Sequence, residues 1–68
     1  MKNIFKDRLK ELRLENNLSQ TKLANLTGLT QAAIAKWENG TRTPSMECII
    51  ILAKYFQISS DYLLGLED

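Results

Sequence analysis

Residues that stop or start a helix recur at short intervals along this chain: Asn17 and Ser19, Gly28 and Thr30, Gly40, Pro44 and Ser45, then Ser59 and Gly65. Asn and Gly tolerate the left-handed backbone at which helices end, whereas Ser and Thr hydroxyls accept hydrogen bonds from the free amides at which helices begin. Stop followed by cap divides the sequence into five short helical pieces, and the expected class is all-α. The first piece places Phe5, Leu9 and Leu12 at helical spacing, with Lys6, Asp7, Lys10 and Glu11 between them. Ser19 caps "QTKLANLT", whose Leu23, Ala24 and Leu26 are expected to face inward, and Thr30 caps a third piece anchored by Ile34 and Trp37. After the connection "TRTP", Ser45 caps a fourth helix running to about Phe56. Ser59 or Ser60 caps a fifth, closed by Gly65.

With 68 residues there is material for one domain, 1–68, and a chain this short buries only roughly 60% of its unfolded surface. Self-association is a natural supplement at that size. The charge pattern "MKNIFKDRLKELR" and the lack of any apolar run of roughly 18 residues argue against a membrane span, so a cytoplasmic location is expected. One cysteine, Cys48, and no histidine leave no internal disulfide and no zinc ligand set. Neither a metal nor a cofactor is expected. Net charge is only +1, so any nucleic-acid partner must be argued from where the charges sit.

The third piece is the informative one. One side of "QAAIAKWENG" offers only Gln31, Ala32, Ala33, Ala35 and Lys36, which bury little apolar area. Taken alone, this fits a solvated helix face. Yet two short helices joined by a tight glycine turn, at about residues 19–40, have the layout of a helix-turn-helix, whose second helix must be free of bulky apolar groups to enter the major groove. Gln31 can pair with adenine at two points, Ala32 is small enough to admit close approach, and Lys36 can reach a guanine edge or a phosphate. The free amides beside Ser19 and Gln20 offer a phosphate seat, with Asn39 and Arg42 on the other side.

The segment from "LKELRLENNLSQTKLA" through "GLTQAAIAKWENG" and "P-S" to "LLG" at 63–65 resembles the phage-repressor and Cro type of helix-turn-helix domain, also called the xenobiotic-response-element family. The likeness covers residues 5–65 without a gap. It implies a five-helix, lambda-repressor-like domain that binds double-stranded DNA, commonly as a homodimer regulating transcription. Carried onto this sequence, it implies that Thr30, Gln31, Ala32 and Lys36 face the bases or adjoining sugars, and that Gln20 contacts a phosphate and braces Gln31. It also implies that Asn39 binds a phosphate, beside the backbone contacts expected of Ser19 and Arg42 from the residues themselves. Arg13 and Glu38 stand where the family commonly has an ion pair tying the first helix to the end of the third.

Departures are instructive. Asn17 stands where the family usually has Gly, a change Asn tolerates. Leu14, Cys48, Ile51 and Tyr55 are apolar at places the family often leaves polar. With Ile49, Ile50, Leu52, Ala53 and Phe56 assigned inward, Cys48, Ile51 and Tyr55 would line the other side of the fourth helix and make it apolar nearly all round. The expected dimer surface is therefore Ile51, Tyr55 and the C-terminal segment with Tyr62, Leu64 and Leu66. Trp37 is assigned to the core, and Cys48 to a small half-buried thiol with nothing basic beside it in sequence.

The expected function is a DNA-binding transcriptional regulator, most simply a repressor occupying a palindromic operator. Its expected partners are double-stranded DNA and a second copy of itself. The alternative is a protein-interaction module, such as an antitoxin that masks a partner, for which the apolar fourth helix would serve equally well. No catalytic residue is assigned, because the chain has no histidine, no nucleophile with an evident base and no phosphate-cradling glycine loop.

Overall fold

The computed structural model describes residues 4–67. Five helices and no strand occur among them: α1 (Ile4–Glu15), α2 (Gln20–Thr27), α3 (Gln31–Glu38), α4 (Met46–Phe56) and α5 (Ser60–Leu64). Four begin on the expected hydroxyl caps. Ser19 accepts from the Lys22 amide, Thr30 from Ala33, Ser45 from Cys48 and Ser59 from Tyr62, each satisfying an amide that the helix leaves unpaired.

The ends are varied. Gly28 and Gly65 close α2 and α5 in the left-handed conformation, and Asn17 adopts it after α1 at φ 57°. Gln57 does the same after α4, at φ 58°, with no glycine to announce it. Gly65 has a second constraint, because a Cβ there would lie 2.8 Å from Ile4 Cβ and Cγ2. The close approach of α5 to the start of α1 therefore requires the missing side chain.

Phe5 and Leu9 of α1, Leu23 and Ala24 of α2, Ile34 and Trp37 of α3, Ile49 and Leu52 of α4, and Leu63 of α5 form one buried cluster. Phe5 meets Trp37 edge to face at 6.4 Å, so Trp37 is a core residue. Leu12, Leu18, Leu29 and Phe56 seal the margin. α1 packs on α3 and α5, and α2 on α3 and α4, so the recognition-type pair α2–α3 is braced from behind by two helices.

Two inward assignments need correction. Leu26 is 48% exposed and Ile50 44% exposed. At about 100° per residue, each lies well round the helix from the buried stripe, which is Leu23, Ala24 and Thr27 on α2 and Ile49, Leu52, Ala53 and Phe56 on α4. Conversely, Ala33, placed on the outer side of α3, and Cys48, placed on the far side of α4 though expected as a half-buried thiol, both pack half-buried against the core cluster. Apolarity alone did not orient these short helices. No helix among the described residues is long and apolar enough to cross a membrane.

Candidate nucleic-acid interface

The α2–α3 turn is held by local bonds. The Gly28 amide donates to Ala24 O at 2.9 Å, and Thr27 Oγ1 donates to Leu23 O at 2.7 Å while Leu29, the next apolar residue, packs on the core. With Leu29 inserted and Thr30 capping, α3 has its entry fixed on both sides. Ile34 and Trp37 then face inward, and Gln31, Ala32 and Lys36 are exposed on the outer face. No large apolar side chain stands there.

Four side chains from three helices form a continuous polar chain. Arg13 of α1 grips Glu38 of α3 with both ends of its fork, Nε to Oε2 at 2.7 Å and Nη2 to Oε1 at 2.9 Å. Its third nitrogen, Nη1, donates to Leu18 O at 2.8 Å. Glu38 Oε1 also accepts from Gln20 Nε2 at 3.2 Å, and Gln20 Oε1 accepts from Gln31 Nε2 at 2.8 Å. The bracing of Gln31 by Gln20 is thus itself anchored on an ion pair.

That pair is largely out of solvent, with side-chain exposures of 11% for Arg13 and 5% for Glu38. The hydrogen bond to Glu38 raises the Arg13 guanidinium above its ordinary range; burial opposes this, and the Coulombic attraction of Glu38 adds to it. A raised folded value means that the stabilisation from Arg13 is complete below the ordinary arginine value and fades only as pH rises through the folded one. It is constant across neutral pH.

Lys10, Arg13, Gln20, Ala35, Glu38 and Asn39 line an open cleft of about 310 Å³ beside the start of α2. Its one carboxylate is already neutralised by Arg13, which leaves Lys10 as its uncompensated charge. Asn39 Oδ1 accepts from Thr41 N at 3.0 Å and Thr41 Oγ1 at 2.6 Å, so the amide nitrogen is the end left to meet an anion. Arg42 is exposed in the turn that follows, and Ser19 is exposed at the N-terminus of α2. Lys10 was not singled out from sequence. Its position three residues before Arg13 on α1 was the available signal.

The other assigned surface is less uniform. Ile51 is half-buried, Tyr55 is exposed and stacks edge to face on Phe56 at 5.1 Å, and Leu66 is 73% exposed. Leu64 packs on the core cluster, and Tyr62 lies half-buried beneath the Arg8 guanidinium, 4.1 Å from the ring centroid. Sequence reasoning missed Arg8, which also donates to the backbone oxygens of Tyr62 and Glu67.

A helix-turn-helix family model matches residues 9–63, which is most of the chain. The chain belongs to the helix-turn-helix family, in its phage-repressor and Cro type. Its fold is similar to that of the P22 c2 repressor crystallised with a synthetic operator, at a TM-score of 0.87 and 29% identity, covering 97% of this chain and all of that one. It is 43% identical over 61 residues to the transcriptional regulator AnsR of Bacillus subtilis, covering 90% of this chain and 53% of that protein. It is 38% identical over 64 residues to the transcriptional activator BcrR of Enterococcus faecalis, covering 94% of this chain and 31% of that protein. The chain therefore spans between about a third and a half of the length of these curated relatives, and what it shares with them is the helix-turn-helix unit.

Proposed function

We propose that this domain is a sequence-specific double-stranded DNA-binding module of a transcriptional regulator, and that it docks α3 in the major groove. The observation that carries this reading is the Gln20–Gln31 bond on the first turn of a helix whose outer face holds no large apolar side chain. Likeness to a repressor bound to operator DNA supports it. In this reading Thr30, Gln31, Ala32 and Lys36 face bases and adjoining sugars, and Ser19, Gln20, Asn39 and Arg42, joined by Lys10, hold phosphates. Phosphate contacts set the register and base contacts the sequence.

The working form is a homodimer on a palindromic site in the cytoplasm. Tyr55 and Leu66 supply the exposed apolar part of its surface, with the half-buried Ile51 and Tyr62 at the edge. A two-fold dimer sets its two α3 helices about 34 Å apart, one turn of DNA. Repression follows where the operator overlaps a promoter, and activation where it lies beside one; relatives named for each role are similar to this chain.

Selection of bound sites from a random duplex pool tests the reading. Wild type is expected to enrich a palindrome, and Gln31→Ala to relax it at one position in each half-site. Enrichment of nothing at low salt would overturn it.

A second reading, an interaction module that masks a protein partner, draws support from the exposed apolar residues Met46, Ile50 and Tyr55 on α4. The double change Gln31→Ala, Lys36→Ala separates the two. It removes operator binding under the first reading and leaves partner binding intact under the second.

A further inference from the structure

The polar chain has a direction. An amide side chain has a donor end and an acceptor end, and its partners decide which points where. Arginine has donors only, so Arg13 makes Glu38 purely an acceptor, and both oxygens of Glu38 take bonds from it. Glu38 Oε1 then draws the nitrogen of Gln20, which leaves the Gln20 oxygen turned toward α3. That oxygen in turn takes one hydrogen of Gln31 Nε2. Polarity set by an ion pair in the interior reaches the exposed head of α3.

We infer that Arg13 and Glu38 are remote specificity-determining residues, which fix the amide of Gln31 in the orientation that reads adenine and rejects guanine. The inference rests on the DNA-reading proposal and deepens it. With one hydrogen held by Gln20, Gln31 has one N–H and a free Oε1 to present side by side. Adenine offers the matching pair in the major groove, an N7 acceptor beside an N6 donor. Guanine offers two acceptors, N7 and O6, so Oε1 would face O6 with no proton between them.

Reversing the chain reverses the choice. If Gln20 turned its nitrogen toward Gln31, the Gln31 oxygen would be the end held, and both of its N–H donors would face outward to suit N7 and O6 of guanine. What prevents this in the native protein is the carboxylate of Glu38, which has no hydrogen to give. Gln20 has a neutral amide and by itself imposes no direction. Arg13 and Glu38 touch no base, so they are positioning residues in a strict sense.

The test is site selection from a random duplex pool with the 68-residue chain, comparing wild type with Glu38→Gln. The substitution is nearly isosteric and gives position 38 a donor, which lets Gln20 point either way. In wild type, adenine should dominate at the position lost in Gln31→Ala. In Glu38→Gln the adenine-to-guanine ratio at that position alone should fall about tenfold, with the other positions of the half-site unchanged. A purely structural role for the pair would weaken all positions together.

Because Glu38→Gln leaves Arg13 without its carboxylate, thermal unfolding is recorded in parallel. If that variant does not fold, Arg13→Met, Glu38→Leu replaces the pair by apolar groups of similar size and equally frees Gln20. An unchanged adenine preference in a folded variant overturns the inference and leaves the DNA-reading proposal standing. A wild-type preference for guanine at the Gln31 position does the same. Enrichment of no sequence by wild type overturns both.

Discussion

α3 and α4 are two amphipathic helices built on the same core, and they differ in what they present outward. α3 spends its buried face on Ile34 and Trp37 and shows Gln31, Ala32 and Lys36 to solvent. α4 buries Ile49, Leu52 and Ala53 and still shows Met46, Ile50 and Tyr55. Small polar groups on a helix that is well anchored from behind suit a partner that must come close and be read by hydrogen bonds. Large apolar groups suit a partner that need only exclude water. The anchored faces of the two helices are alike in kind; the outer faces carry the difference in use.

The largest expected effect comes from damaging the outer face of α3. Gln31→Ala with Lys36→Ala should lower operator affinity by about a hundredfold or more, measured by fluorescence anisotropy, with the melting temperature close to wild type. Arg13→Ala acts on the support behind that face. It should destabilise the fold by about 2 to 3 kcal/mol in urea titration, because it strands the Glu38 carboxylate in a nearly solvent-free site.

On the other helix, Ile51→Lys with Tyr55→Lys should shift sedimentation from dimer to monomer while leaving the unfolding midpoint nearly unchanged. An undiminished dimer fraction would remove α4 from the interface. The smallest effect is expected at Ile50→Lys, within about 0.5 kcal/mol of wild type, since Ile50 is already 44% exposed. A loss of several kcal/mol there would mean that the outer flank of α4 is covered after all.

Much of this was legible in the sequence, for identifiable reasons. The caps Ser19, Thr30 and Ser45 have a local mechanism that needs no tertiary context, so the starts of three helices could be read directly. For the fifth the sequence left Ser59 and Ser60 open, and the structure selects Ser59. Gln57 shows the limit. Its left-handed turn is imposed by the return of the chain to the core at Ile58, and no propensity for that conformation announces it. Ile50 and Leu26 show another. In helices of two or three turns the buried stripe is narrow, and a run such as "IIILA" does not say which of its members lies off it.

The residues on the outer face of α3 were readable because their types are unusual for an anchored helix. The polar chain behind them was readable only in part. Arg13 with Glu38, and Gln20 with Gln31, were expected from family resemblance, whereas the bond from Gln20 to Glu38 depends on how three helices cross. The Arg8 clamp was out of reach for the same reason, whereas Lys10 had a signal in its spacing to Arg13 that was not used.

Arg8 and Gly65 carry one more consequence. Through them the first helix and the last lie against each other: Ile4 fills the space a side chain at position 65 would need, and Arg8 reaches across to the backbone of Tyr62 and Glu67. In packing terms the molecule is a ring, in which the contacts most distant along the chain seal the circuit. α1 and α5 each cover part of the other, so loosening either one uncovers both.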